Sequence, residues 1–144
     1  MKKLSMILIA ALLITILAGC SIQHSVDGIQ EEAEKLPIIE VVQVLADNDE
    51  NAFLAYMHPS VSKDAAHNGF VYMADYLYAA APVSLECLST NIYAGIGAGG
   101  KSRTITSSYL VHLDKGSILV DAVYVEDSDG SGFTQFLCKI GVAQ

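Results

Sequence analysis

The spacing of hydrophobic residues changes at Pro82, from a helical period before it to an alternating pattern after it. Before Pro82, apolar residues recur every three or four positions, as on one face of an amphipathic helix. This pattern predicts three helices, at residues 38–46, 50–57 and about 64–80. The β-branched residues of the first segment leave a strand as the competing interpretation. On the third helix, the residues expected to face the core are Phe70, Met73, Ala74, Leu77 and Ala81.

After Pro82, hydrophobic and polar residues alternate, which is the period of a half-buried β-strand. Four strands are predicted, at residues 84–93, 103–113, 117–126 and 133–142. Short segments containing glycine join them, and the first of these, residues 94–100, is predicted to be a loose hairpin connection. On the second strand, Tyr109 and Val111 share one face, whereas Ser108 and His112 share the other.

The first nineteen residues have the character of an export signal. Lys2 and Lys3 form a positive start, and the apolar stretch at residues 4–17 is shorter than the about 20 residues that a bilayer-spanning helix needs. The stretch ends in LAGC, residues 17–20, which resembles the lipobox of bacterial lipoproteins. That resemblance implies cleavage before Cys20, a lipid group on its thiol, and an extracytoplasmic protein that is lipid-anchored to the membrane of the bacterial cell envelope.

Strands joined by short connections form an antiparallel meander, and the preceding helices must cover one of its faces. The predicted fold class is α+β, with N-terminal helices packed on a curved four-stranded antiparallel meander sheet and preceded by a signal-peptide helix. The 144 residues suffice for one such domain. We expect a signal peptide at 1–19, a lipidated N-terminus and linker at 20–35, and a single domain at 36–144.

Removal of the signal peptide makes the protein more acidic. The whole chain has 8 basic and 16 acidic side chains, and loss of Lys2 and Lys3 leaves 6 basic side chains and a net charge of −10. Nucleic acid is not an expected partner, because binding to phosphate backbones needs basic stripes. The expected partners are the membrane, through the lipid on Cys20, and an unknown small molecule or envelope protein.

The remaining cysteines are Cys87 on the first predicted strand and Cys138 on the last. An extracytoplasmic location permits a disulfide between them. A simple meander nevertheless puts these strands at opposite edges, whereas bridged Cα atoms lie within about 7 Å of each other. Two buried free thiols are therefore the favoured expectation. The Cys and His spacing predicts no zinc site, and no cofactor is expected.

The order of elements carries a second resemblance. Two or three helices, with the segment LADNDENAF at residues 45–53, precede the antiparallel meander. This order resembles the nuclear-transport-factor-two-like superfamily, a cystatin-like cone fold that includes ketosteroid-isomerase-like enzymes and small lipoprotein domains. The resemblance covers about residues 36–142 and implies a pocket between helices and sheet. It does not imply a particular activity.

The isomerase branch of that superfamily implies a carboxylate base and an acid donor that face one apolar cavity. Asp121, on an otherwise apolar strand, is the candidate base. The candidate donors and pocket residues are His112, Tyr109, Tyr124, Tyr72 and Tyr76. Plainer interpretations stay open, because Asp121 and His112 also suit the solvent face of a sheet and tyrosines suit the edges of a core. The acidic segment 126–130 lacks the further ligands of a calcium loop and is predicted to be a solvated turn.

Two functions follow from these observations. The first is a noncatalytic binding or interaction domain tethered to the membrane. The alternative is a small isomerase- or hydrolase-like enzyme that uses Asp121 with a tyrosine or histidine donor. The position of Asp121 relative to an enclosed cavity discriminates between them.

Overall fold

A computed structural model describes residues 28–140 of the protein. The predicted signal peptide at 1–19, the lipidation site Cys20 and the first part of the predicted linker lie outside the described residues, as do residues 141–144. Within residues 28–140 the protein has helices packed on a four-stranded antiparallel sheet, so the α+β prediction is confirmed for this part of the chain.

Four helices precede the sheet in the described residues. They are α1 (28–34), α2 (Ile38–Ala46), α3 (Glu50–Ala55) and α4 (Lys63–Leu77). Side chains cap two of them, because Asp49 accepts a hydrogen bond from the Ala52 amide and Ser62 accepts one from the Ala65 amide. The α2 segment is a helix, as predicted, and not the strand that its β-branched residues also suit.

Two of the predicted helices extend too far toward the C-terminus. Helix α3 ends at Ala55, because Tyr56 and His58 exchange backbone hydrogen bonds with Phe133 of the sheet. Helix α4 ends at Leu77, and the Ala79 amide donates instead to the Ala46 carbonyl of α2 at 3.1 Å. Tertiary hydrogen bonds thus replace the last helical ones.

The predicted core face of α4 is correct except at its end. Phe70, Met73, Ala74 and Leu77 are all buried. Ala81 is exposed and lies beyond the helix, where its backbone exchanges hydrogen bonds with Asp114 in a turn of the sheet. The helical period therefore stops before Ala81.

Helix α1 lies in a segment that the sequence assigned to a linker. Residues 28–34 are helical, and Ala33 has no exposed surface. The segment is mostly polar because only a narrow face of this helix contacts the rest of the protein. The described fold thus begins before residue 36.

The sheet contains β1 (Pro82–Gly97), β2 (Gly100–Leu113), β3 (Gly116–Asp127) and β4 (Gly130–Ile140), in that spatial order. All neighbouring strands are antiparallel, as predicted for a meander. The glycine-rich connection is not loose: pairing continues to Gly97 and Gly100, and a two-residue turn joins them. The strand that follows each turn starts at a glycine with positive φ, between 99° and 145°, which glycine adopts without steric cost.

The helices cover one face of the sheet, and we call this the inner face. Ile105, Tyr109 and Val111 of β2 are buried on it, whereas Thr106 and His112 lie on the outer face, as the alternating pattern predicted. The largest fully buried side chains come from both layers, with Phe53 and Leu45 from the helices and Tyr109 and Phe133 from the sheet. The core therefore lies between the helices and the inner face.

Cys87 on β1 and Cys138 on β4 occupy the two edge strands of the sheet. Both are buried and free, which confirms the prediction of two free thiols.

Candidate functional site

A groove lies between helix α4 and edge strand β4. Its volume is about 900 Å³. Tyr72, Asp75 and Tyr76 of α4 form one wall, and residues 137–140 of β4 form the other. Other apolar lining comes from Phe70, Val71 and Ala74, while Asn48 adds an amide from the loop between α2 and α3. We call this the α4–β4 groove.

Two α4 side chains attach the helix to the edge of the sheet at Cys138. The Tyr76 hydroxyl donates a hydrogen bond to the Cys138 carbonyl, and the Cys138 amide donates to Met73 Sδ at 3.4 Å. Both backbone groups thus point away from β3, on the side where an edge strand has no neighbour. Helix α4 satisfies these groups and fixes the floor of the groove. Burial raises the pKa of Tyr76, so its hydroxyl stays protonated and remains a donor.

Tyr72 is the most accessible aromatic residue of the α4–β4 groove. Its side chain is 66% exposed, and its ring meets that of Tyr76 edge to face with centroids 5.9 Å apart. This edge-to-face contact holds the Tyr72 ring against Tyr76, while the rest of the Tyr72 surface stays accessible to solvent. Asp75, between the two tyrosines in sequence, forms no ion pair within residues 28–140. The groove therefore combines an exposed aromatic surface with a carboxylate.

Asp121 lies on the outer face of the sheet, away from the helices. Its carboxylate accepts hydrogen bonds from Lys139 Nζ at 2.6 Å and Ser108 Oγ at 2.7 Å. The hydrogen bond from Lys139 is the largest of the effects that lower the pKa of Asp121, and the one from Ser108 adds to it. A carboxylate with a lowered pKa on an open surface has neither the basicity nor the enclosed cavity that an isomerase base needs.

The candidate donors do not meet Asp121. Tyr109 lies on the inner face, where its hydroxyl donates to the Ala33 carbonyl at 2.8 Å and burial raises its pKa to about 12. His112 lies on the outer face and its Nδ1 bonds Ser117 Oγ at 2.9 Å. Asp121 and Tyr109 are thus on opposite faces of the sheet.

Among the five candidate pocket residues, only Tyr72 and Tyr76 come together in one groove. Tyr124 lies on the inner face, where its ring meets Phe133 edge to face at 5.1 Å. It pairs across the sheet with Ile105, away from α4. The structure therefore divides the candidates among two faces and the α4–β4 groove.

Sequence reasoning missed a polar cluster around His58. This histidine is 2% exposed and joins two distant segments. Its Nδ1 lies 3.2 Å from the Ser60 amide and 2.8 Å from Ser60 Oγ, while its Nε2 lies 3.2 Å from Asp127 Oδ1. The Ser60 amide can only donate, so Nδ1 accepts and the proton of the neutral ring is on Nε2, facing Asp127.

A histidine placed between a serine and an aspartate also occurs in the catalytic triads of acyl hydrolases. Here Ser60 is two residues from His58, its amide occupies the same ring nitrogen, and it does not line the α4–β4 groove. The neighbouring backbone is close as well, since a Cβ atom at Gly132 would lie 2.6 Å from the His58 amide nitrogen. The cluster therefore fits a structural role, holding the segment after α3 against the β3–β4 turn.

No group of three or more potential metal-ligating side chains occurs within residues 28–140. Over those residues, no helix has both the length and the hydropathy needed to span a bilayer.

Comparison with family models, curated proteins and solved structures finds no match to this chain.

Proposed function

We propose that this protein is a bacterial lipoprotein whose extracytoplasmic domain is a noncatalytic binding module. In this proposal, cleavage of the signal peptide leaves Cys20 as the lipidated first residue, and the domain has the curved, cone-like sheet of the resembled superfamily. The observation that carries the binding function is the α4–β4 groove of about 900 Å³, with the exposed ring of Tyr72 in its wall. Grooves of this size accommodate small ligands.

The chemistry of the groove favours a ligand with an apolar part. An exposed aromatic ring offers apolar contact area with little side-chain entropy to lose. Asp75 and Asn48 supply a carboxylate and an amide for polar contacts. The floor of the groove is held in place, because Tyr76 and Met73 both form hydrogen bonds with the Cys138 backbone. Such a site selects an amphiphilic molecule, such as a lipid or a sterol.

The alternative, a small isomerase- or hydrolase-like enzyme, depends on Asp121. Its carboxylate is on the outer face and engaged by Lys139 and Ser108, while Tyr109 is on the inner face and bonded to Ala33. These positions favour binding over catalysis, because Asp121 and Tyr109 lie on opposite faces of the sheet and cannot reach one substrate atom.

A ligand screen by thermal shift tests the binding function. A ligand of the folded protein raises the melting temperature by mass action. We expect a positive amphiphile to lose its effect on Tyr72→Ala and keep it on Tyr78→Ala. The two side chains are 66% and 73% exposed, and Tyr78 does not line the groove, so the control matches in chemistry and exposure. Equal loss in both variants, or no shift with any amphiphile, contradicts the proposed site.

Replacement of Cys20 tests the anchor. The wild-type protein should partition into the detergent phase and carry a diacylglyceryl group on its first residue by mass spectrometry. Cys20→Ser should abolish both signals, leaving an unprocessed or shed protein. Detergent partitioning of a correctly cleaved Cys20→Ser product refutes the anchor.

A further inference from the structure

The β1–β2 hairpin continues past the last residue of β2 that pairs with β3, and its turn lies beside the β3–β4 turn, where a Cβ atom at Gly99 would lie 4.0 Å from Ser128 Oγ. Strand β3 pairs with β2 only from Arg103 onward, whereas β1 and β2 stay paired as far as Gly97 and Gly100. Two large apolar side chains are exposed here, Tyr93 at 68% and Ile96 at 82%. Ile96 is the most exposed large hydrophobic residue within residues 28–140. Exposed apolar side chains at the end of a hairpin are candidates for contact with a membrane.

The charge of the tip differs from that of the rest of the protein. Residues 87–113 contain Lys101 and Arg103 but no aspartate or glutamate, although the chain has 16 acidic side chains. Arg103 is engaged by Glu126, at 3.5 Å, and by Glu32. Lys101 is exposed, forms no ion pair within residues 28–140, and pairs across the hairpin with Ile96. The tip thus places a cation without an ion-pair partner among residues 28–140 beside its most exposed apolar residue, in a cavity that Glu126 and Asp127 also line.

The path of the chain puts this tip within reach of a membrane anchor. Seven residues lie between Cys20 and residue 28, and the eight Cα–Cα steps from one to the other span at most about 28 Å when extended. Ile29, near the start of α1, lines a groove with residues 87–91 of β1. From Asn91, the tip residue Ile96 is about 17 Å along the strand. An anchor at Cys20 therefore keeps β1 near the bilayer and permits its tip to touch the lipid.

We propose that the β1–β2 tip, residues 93–101, inserts into the headgroup region of the membrane that holds the lipid anchor. This inference rests on the proposed lipidation of Cys20. Ile96 and Tyr93 enter the boundary between headgroups and acyl chains, and Lys101 contacts anionic headgroups. Two apolar side chains bind a membrane weakly by themselves, but a short tether raises their effective concentration to about millimolar. The contact therefore orients the domain at the membrane surface.

The chain contains no tryptophan, so single tryptophans can report the contact. The experiment uses the full-length protein, processed and lipidated, in vesicles of phosphatidylethanolamine and phosphatidylglycerol with brominated acyl chains, which quench nearby indole rings. Ile96→Trp and Tyr93→Trp should lose emission and shift to shorter wavelength in these vesicles. Tyr78→Trp, at a position 73% exposed and outside the tip, is the matched control and should show neither change. Adding Lys101→Glu to Ile96→Trp should reduce the quenching in anionic vesicles.

The possible results distinguish failure of the tip contact from failure of the lipid anchor. Lipidated protein with no quenching at positions 96 and 93 overturns the tip contact and leaves the lipoprotein proposal intact. Equal quenching at position 78 also overturns it, since another face then meets the bilayer. Protein without a lipid on Cys20, by mass spectrometry, overturns the anchor and the tip contact that depends on it. Quenching confined to the tip and weakened by Lys101→Glu supports the inference.

Discussion

The hydroxyl group of Tyr109 donates a hydrogen bond of 2.8 Å to the backbone carbonyl of Ala33. Neither residue has any exposed surface, and 76 positions separate them in the chain. The bond joins α1 to the middle of β2 across the core. It makes α1 an integral part of the fold, although its sequence is that of a polar linker.

Removing this hydroxyl should destabilise the protein. Tyr109→Phe keeps the ring but removes the shorter of two hydrogen bonds to the Ala33 carbonyl, leaving the Leu36 amide at 3.3 Å as its donor. The loss of one hydrogen bond costs about 0.5–1.5 kcal/mol in the free energy of unfolding. Denaturant titration measures the change. Tyr93→Phe is the matched control, because Tyr93 is 68% exposed, and its effect should stay within about 0.5 kcal/mol. Equal stability of the Tyr109→Phe protein and the wild type contradicts the role assigned to this bond.

Helices α2 to α4 and the four strands could be predicted from local sequence patterns, whereas α1 could not. Alternation and turn residues predicted all four strands. The alternation matches a buried and a more exposed face in β2, β3 and β4, whereas β1 has one buried residue, Cys87. Helix α1 gave no such signal, because Ala33 is its one fully buried residue. The contact that stabilises it comes from Tyr109, and sequence spacing carries no information on a partner so far away.

The positions of the candidate site residues were also predictable only in part. The turn at Asp114 and Lys115 pairs Leu113 with Gly116, and counting back from it puts Asp121 opposite Ser108. Strand register therefore contained the signal that Asp121 and Tyr109 lie on opposite faces. The link from His58 to Asp127 had no comparable signal, because it spans 69 positions and two different layers.

The carboxylate of Asp121 should make stability depend on pH in the acid range. Lys139 and Ser108 lower its pKa below the ordinary value of 3.8. Because the folded pKa is the lower one, the stabilising contribution is fully present above the unfolded pKa and is lost as the pH falls through the folded pKa. The unfolding free energy of Asp121→Asn should therefore lie below that of the wild type at about pH 6 and converge with it as the pH falls through the folded pKa of Asp121.

Lys139→Met tests the same ion pair by removing its other partner. It removes the charge but keeps a long apolar side chain, and an exposed pair of this kind is worth about 0.2–1 kcal/mol. Its effect should be absent in the Asp121→Asn background, as a double-mutant cycle detects. A difference between wild type and Asp121→Asn that persists unchanged at low pH shows that the ion pair is not its cause.

Two glycine-to-alanine substitutions should have opposite effects. A Cβ atom at Gly132 would lie 2.6 Å from the His58 amide nitrogen and 2.7 Å from the Met57 carbonyl carbon, so the backbone bridge between Met57 and Phe133 must move. Gly132→Ala should therefore lower the melting temperature. Gly69 lies within α4 with nothing within 4 Å of such an atom. Gly69→Ala should stabilise the protein by up to about 1 kcal/mol, through better helix propensity.

The burial of the two domain thiols should control their reactivity. Burial raises the pKa of the Cys138 thiol to about 12 and also raises the pKa of Cys87. Since the thiolate is the reactive form, both should react slowly with Ellman's reagent in the folded Cys20→Ser protein and rapidly in denaturant. Cys87 is 9% exposed against 2% for Cys138, so Cys87→Ser should remove the faster of the two slow phases. Reaction of Cys138 in the folded protein at the rate of the denatured chain would contradict its place beneath α4.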